Sequence, residues 1–330
     1  MLKIGVLGCG HLGRIHMKCI RDLTDDYVLT GCFDPVPDKC ASAASEFQTL
    51  AFHSMESLIE SVDVVDIVTP TLYHYDCAVA ALKKFKHVFI EKPVTQTIEE
   101  ARQLERLAIE AGVKVQVGHV ERFNPAFTAV LPHLQQPRFI ETHRLAEFNP
   151  RGTDVSVVLD LMIHDIDIVL SVTGANVRQI NASGVAVLSD TPDIANARIE
   201  MDNGCVANLT ASRISLKKMR KSRFFQRDAY ITVDFLSRES EIVRMRSVNG
   251  DADPFSVTID LGERGRKEIL FDKPVIPAGN AIRDELSAFA RAISKNTQTV
   301  VSLHDGSRAL DVALMVLEKM KTNETGALVP

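Results

Sequence analysis

Several groups of residues in this 330-residue chain have the types and spacing to do chemistry. The first is Gly8-Cys9-Gly10-His11-Leu12-Gly13, which follows an apolar run and continues as a helical pattern. In such a turn Gly8 permits the sharp exit from the strand and Gly10 leaves space for a pyrophosphate. Gly13 lets the next helix pack closely, and the helix N-terminus faces the anion. A second apolar segment, Tyr27 to Phe33, ends in Asp34, where an acid meets the adenosine ribose of a dinucleotide. A carboxylate accepts from both ribose hydroxyls and repels a 2′-phosphate, so NAD is favoured over NADP. Lys39 is near enough in sequence to soften that preference.

A second group is Glu91-Lys92-Pro93, at the end of an apolar segment and so at the carboxyl edge of a sheet, where ligands bind in doubly wound folds. A lysine there reaches cofactor and substrate, and the proline fixes its direction; the alternative is a solvated strand-end lysine. The third group lies in Asp160-Leu161-Met162-Ile163-His164-Asp165-Ile166-Asp167. On a helix Asp160 and His164 share a face, which suits acid–base work by a histidine oriented by a carboxylate. A surface ion pair or cap is the plainer alternative. No further His/Cys cluster completes a metal site beside them, and none is expected. The fourth group is the basic run Arg213, Lys217, Lys218, Arg220, Lys221, Arg223 and Arg227. It suits a substrate diphosphate, a solvated loop, or acids across an oligomer interface. Arg122 and Asn124 follow a strand at the sheet's carboxyl edge and are expected to line the cofactor–substrate cleft, with loop capping as the alternative.

The elements that must position these groups are legible in the hydrophobic pattern. To about Gly118, short β-rich runs (KIGVLG, YVLTGCFD, VVDIVTP, HVFIEKP, KVQVGHV) alternate with amphipathic helical stretches, the mark of a parallel sheet covered on both faces. After Asn124-Pro125 a helix is expected over 156–171. Alternating strands follow from about Asn176 to Phe271, with turns at Asp202-Asn203-Gly204 and Asn249-Gly250, and then two terminal helices, the second opened by Ser302-x-x-Asp305. The expected architecture is α/β plus α+β: a Rossmann domain over 1–122, and over 123–330 an α+β substrate and oligomerisation domain with a large open, mainly antiparallel sheet. The terminal helices are free to pack back on the first domain. One uncovered sheet face calls for a homodimer or homotetramer.

Net charge of −5 disfavours a general nucleic-acid binder. No apolar run approaches a membrane span, and the chain starts directly with a strand rather than a leader, so no membrane partner is expected. The six cysteines form no CxxC pair and suit buried thiols in a reducing compartment, which points to the cytoplasm.

The Gly8-to-Gly13 loop, Thr69-Pro70 with His74, Glu91-Lys92-Pro93 and Asp160-x-x-x-His164 occur in an order and spacing that resemble the Gfo/Idh/MocA oxidoreductase family over essentially the full chain. The resemblance implies catalytic roles for Lys92, Asp160 and His164, and cofactor binding by Gly8, Gly10, His11, Leu12, Gly13, Asp34, Thr69, Pro70, His74, Glu91 and Lys92. Substrate binding would fall to Lys92, Arg122, Asn124, Asp160, His164 and Arg213. Segments 118–125, 160–165 and 212–228 further resemble the family's nucleotide-sugar dehydrogenases. These imply NAD-dependent oxidation of a secondary sugar hydroxyl, foremost the 3-hydroxyl of UDP-N-acetylglucosamine, to a 3-keto nucleotide sugar. Whether Lys92 or His164 takes the proton stays open. A dehydrogenase of a free sugar, an inositol or a sugar acid is the alternative within the family. A non-catalytic nicotinamide-nucleotide sensor is the alternative outside catalysis.

Overall fold

A computed structural model describes residues 1–149, 155–248 and 257–326. It divides into two compact units: Met1–Phe123 with Asn280–Asp311, and Asn124–Gly279 with Val312–Pro330.

The first unit is built on a six-stranded sheet of β1 (Leu2–Leu7), β2 (Tyr27–Phe33), β3 (Leu50–Ala51), β4 (Val64–Ile67), β5 (His87–Glu91) and β6 (Val115–Gly118). Their order is β3-β2-β1-β4-β5-β6, and every pairing is parallel. This is the doubly wound order whose reversal beside β1 opens a crevice for a dinucleotide. All four residues of β4 are buried, as a sheet covered on both faces requires. The two-residue edge strand β3 is too short to carry any hydrophobic period, so it escapes sequence analysis.

The helix Ala281–Ser294 belongs to this unit although it is far along the chain. Leu286, Phe289 and Ala290 join the core formed by Ile4, Val6, Met17, Ile20 and Phe89. The Phe89 and Phe289 rings lie 6.1 Å apart, and the Tyr27 hydroxyl donates to the Leu286 carbonyl at 2.9 Å. At the start of the helix Leu303–Gly326 the Ser302 hydroxyl accepts from Asp305 N at 3.2 Å, while Asp305 Oδ2 accepts from Ser302 N at 2.9 Å. The expected cap is formed.

The second unit carries a nine-stranded sheet of β7 (Phe139–Leu145), β8 (Val177–Val185), β9 (Ile194–Met201), β10 (Val206–Ser212), β11 (Met219–Gln226), β12 (Ala229–Asp234), β13 (Glu239–Val248), β14 (Val257–Asp260) and β15 (Arg266–Asp272). The order is β14-β15-β13-β12-β11-β7-β10-β9-β8. The β7–β10 pair runs parallel and the rest are antiparallel. Alternation sorts the strands: Ala195, Ala197, Ile199 and Met201 of β9 and Ala207, Leu209 and Ala211 of β10 are buried. Asn196 and Arg198 point to the other face, where Asn196 donates to Thr210 Oγ1 at 2.9 Å. The turn at Asp202-Asn203-Gly204 joins β9 to β10, with Gly204 at φ +82°. Asn249-Gly250 lies outside the described residues. No helix among the described residues is long and apolar enough to cross a membrane.

Candidate active site

In the first unit the turn after β1 is shaped by its glycines. Gly8 has φ +103°, and a Cβ there would meet the Val68 carbonyl oxygen at 2.6 Å. A Cβ on Gly13 would come within 1.9 Å of the Gly8 carbonyl oxygen, so only glycine lets the helix His11–Asp22 start here. Gly10 differs: a Cβ there would meet nothing within 4 Å. It is the cap residue of that helix and gives no side-chain hydrogen bond, and the first turn holds no acid. The opening N–H groups and the positive end of the helix dipole are thus left for an anion, with space above Gly10 to admit one.

Asp34 stands beside this loop. Its Oδ2 accepts from Cys9 N and its Oδ1 from Val36 N, each at 2.9 Å. A cleft of about 600 Å³ is lined by Gly8, Asp34, Lys39, Thr69 and Pro70 among others. These features fit two parts of a dinucleotide: its diphosphate bridge over Gly10 and its adenosine ribose at Asp34. His11 and Leu12 are exposed at the helix start.

His74 is placed differently from Asp34. It is buried, with Nδ1 2.9 Å from the Pro93 carbonyl oxygen and Nε2 2.8 Å from that of Thr69. Burial pulls its pKa below the ordinary histidine value, against the two carbonyls, which favour the charged form. The ring clasps the loop after β4 to the turn after β5.

At that turn the Lys92–Pro93 peptide is cis, and Lys92 is half-buried. Glu91 Oε2 accepts from Lys92 N at 3.1 Å. Behind Glu91 lies a buried ionic group. His16 Nε2 is 3.2 Å from Glu91 Oε1, and His16 Nδ1 is 3.0 Å from Asp66 Oδ2. Burial alone would lower the His16 pKa, but Asp66 and Glu91 outweigh it and hold the imidazolium well above the ordinary value. Burial would likewise raise the Glu91 carboxyl, yet His16 and Lys92 draw it down. Glu285 is fully buried, and burial and the nearby Glu91 charge push its pKa well up, so it is held neutral. None of His16, Asp66 or Glu285 is evident from motifs. For His16 and Asp66 the signal is a charge between apolar residues, clearest for Asp66 within VVDIV; Glu285, which follows Arg283-Asp284, gives none.

Arg122 extends Nη1 to the Val300 carbonyl at 3.5 Å and Nη2 to Asp305 Oδ1 at 3.6 Å.

In the second unit the segment over 156–171 is helical with an irregularity at its start: Val158–Met162 forms a π turn that passes into the α-helix Ile163–Thr173. The wider turn keeps positions four apart on one side of the axis, and such turns recur at functional sites. Asp160 is exposed and His164 half-buried on this segment, while Asp165 and Asp167 are buried. Asp165 meets Arg144 of β7 in a two-pronged pair, Nε to Oδ2 and Nη2 to Oδ1, both 3.0 Å. The pair pins the helix to the sheet one residue from His164.

Asn124 caps the helix Pro125–Val130, its Oδ1 accepting from Ala126 N at 3.1 Å and its Nδ2 donating to the Phe235 carbonyl at 3.1 Å. Arg213 is 6% exposed. It donates through Nε to Asp193 Oδ1 at 3.0 Å, through Nη1 to the Val155 carbonyl at 2.7 Å and through Nη2 to Thr191 Oγ1 at 2.7 Å. Protein groups therefore hold its guanidinium. Along the rest of the basic run Lys218 pairs with Glu147 at 3.3 Å, Arg223 with Glu141, and Arg227 with Asp228 at 3.6 Å. Lys218 and Arg220 also line a pocket of about 370 Å³ with Leu145, Phe148 and Asn149.

Comparison with known proteins agrees with this geometry. Residues 2–119 match the model of the oxidoreductase family with an NAD-binding Rossmann fold, and residues 128–228 match the GFO/IDH/MocA C-terminal domain. The chain is 36% identical over 322 residues, 96% of each chain, to UDP-N-acetylglucosamine 3-dehydrogenase of Acidithiobacillus ferrooxidans. The solved structure of an enzyme of that name and organism superimposes with TM-score 0.88 at 34% identity, covering 97% of this chain and 98% of the other. The scyllo-inositol 2-dehydrogenase (NAD(+)) of Bacillus subtilis is 28% identical over 65% of this chain and 68% of its own. With its paired NAD-binding and C-terminal domains, the chain belongs to the Gfo/Idh/MocA oxidoreductase family and is an NAD-dependent enzyme that acts on CH–OH groups.

Proposed function

We propose that this enzyme oxidises the 3-hydroxyl of UDP-N-acetylglucosamine, giving the 3-keto nucleotide sugar, NADH and a proton. The observation that carries the proposal is end-to-end likeness to a dehydrogenase of that name, at an identity well above that of the inositol dehydrogenases. Bound nicotinamide supplies the acceptor for the hydride that leaves carbon 3. The rest falls to side chains. His164 is assigned as the base that takes the hydroxyl proton, Lys92 hydrogen-bonds the reacting oxygen and favours its alkoxide character, and Asp160 orients the histidine or the sugar. Glu91, held by His16, fixes the backbone that presents Lys92.

The substrate diphosphate is assigned to Lys218 and Arg220, which line a pocket on the second unit together with Glu147, the partner of Lys218. Arg213 supports the 187–193 loop through Asp193 and is not counted among the diphosphate ligands. Asn124 acts as a helix cap, and Arg122 steadies the 300–305 segment. Exposed Val257, Ile259, Leu270 and Phe271 on β14 and β15 support a homo-oligomer built on this sheet, a state that light scattering reads directly. Residence in the cytoplasm accords with six buried free cysteines.

The test is NADH formation from NAD⁺ and UDP-N-acetylglucosamine, with a ketone trap to draw the oxidation forward. His164→Asn and Lys92→Met are expected to lower kcat by about 10²- to 10⁴-fold while NADH still binds. Turnover of free inositols with none of the nucleotide sugar would retain the family and replace the substrate. Cofactor binding without turnover of either class would leave a sensor.

A further inference from the structure

Three cysteines outside the proposed chemistry come together in the first unit. Cys9 belongs to the glycine-rich turn, Cys32 ends two residues before Asp34 on β2, and Cys40 lies in the helix Pro37–Phe47 that follows Asp34. Their Sγ atoms all lie within 4.8 Å of one another, and all three residues are buried and free of disulfides. Tetrahedral zinc–thiolate bonds of about 2.3 Å need sulfurs about 3.8 Å apart, so small side-chain movements would close these three around one cation. The geometry points to a site for a single thiophilic divalent cation, bound by Cys9, Cys32 and Cys40 against the adenosine end of the cofactor cleft.

Charge and hydrogen bonding agree. Cys40 Sγ donates to the Cys32 carbonyl at 3.4 Å and Cys32 Sγ to the Cys40 carbonyl at 3.8 Å, so these thiols hold their protons until a cation displaces them. A divalent cation that displaces the three thiol protons leaves a net charge of −1, whereas three bare thiolates would put −3 in a buried place. Three protein ligands leave a fourth position for water. The cation would tie the glycine turn to the strand that carries Asp34, whose Oδ2 already accepts from Cys9 N. The remaining cysteines, Cys19, Cys77 and Cys205, are not part of this group.

The test is titration of the reduced, chelator-treated full chain with Cd²⁺ alone, followed by thiolate-to-cadmium charge-transfer absorption. One equivalent is expected to saturate the signal, and Zn²⁺ to displace it competitively. Cys32→Ser and Cys9→Ser should each lose at least tenfold in affinity, and Cys205→Ser should not change it. Native mass spectrometry of the wild type gives the stoichiometry even if a variant fails to fold. No stoichiometric binding by the wild type would overturn the proposal, as would a signal unchanged in both Cys9→Ser and Cys32→Ser. NADH titration of the same samples separates this result from the enzymatic proposal, because cofactor binding stands whether or not the cation does.

Discussion

Replacing Gly10 by alanine should separate cofactor binding from stability. The residue sits at φ −69° and ψ −169°, extended backbone that alanine adopts without strain, and its Cβ would meet no atom within 4 Å. Lower entropy of the unfolded chain would add about 0.4–1 kcal/mol of stability. Losing a favoured capping residue offsets a few tenths of that or more. The free protein should therefore unfold within about 1 kcal/mol of the wild type. Bound cofactor feels the change, because the new methyl takes space assigned to the diphosphate. Overpacking of this kind costs about 1–3 kcal/mol, which corresponds to about 5- to 150-fold weaker NADH binding. Gly13→Ala is the control, since its Cβ would stand 1.9 Å from the Gly8 carbonyl oxygen, a backbone atom that cannot give way cheaply. That variant should lose stability first and binding as a consequence. Calorimetric unfolding and NADH fluorescence titration read the two effects independently. An unchanged dissociation constant for Gly10→Ala would refute the placement of the diphosphate, and marked unfolding of that variant would refute the open space above the residue.

Other consequences follow from the ionic groups of the second unit. Arg144→Met leaves Asp165 buried without its guanidinium, a loss of about 3–5 kcal/mol. At about 2–4 °C per kcal/mol, Tm should fall by about 6–20 °C; adding Asp165→Leu should recover part of the fall, and a further fall would count against the pair. Asp193 supplies a pH dependence. Burial raises its carboxyl, but hydrogen bonds from the Ser189 hydroxyl and the N–H groups of Leu188, Val187 and Ser189 prevail and hold it well below the ordinary value. A folded pKa below the unfolded one gives stability that is present above about pH 4 and lost as pH falls toward the folded value. Wild type should therefore exceed Asp193→Asn in Tm by a constant margin from pH 8 to about 5, with the margin shrinking below pH 4. A margin that persists unchanged to pH 2 would contradict the assignment.

Much of the fold was legible because each element repeats its signal. Five β-rich runs separated by helical periods leave few arrangements for a parallel sheet, and β1, β2, β4, β5 and β6 fall within those runs. The glycine turn was legible for a related reason: at Gly8 and Gly13 backbone geometry excludes other residues, so the constraint is local and shows in the residue type. Side-chain roles set by distant partners were not. Nothing near Arg213 in the sequence announces Asp193 or Thr191, and a basic run reads alike whether its members face a ligand or the interior. Asn124 is a borderline case, since an Asn before Pro125 is an ordinary N-cap pattern and the structure shows that cap formed.

His16, Asp66, Glu91 and Glu285 make the limit sharper. They come from a helix, two strands and a helix late in the chain, and only folding reveals that one imidazolium faces two carboxylates while a third stays neutral. The pattern does record that His16 and Asp66 each stand between apolar neighbours. Since a lone buried charge costs several kcal/mol, a chain that carries three in one core, beside the neutral Glu285, brings them together. Asp66 alone therefore implies either a buried cation in the same unit or a carboxyl that stays neutral, as Glu285 does. Histidine is the residue able to fill that place from within a packed helix, its two nitrogens serving opposite sides, and His16 does so with Asp66 on one side and Glu91 on the other.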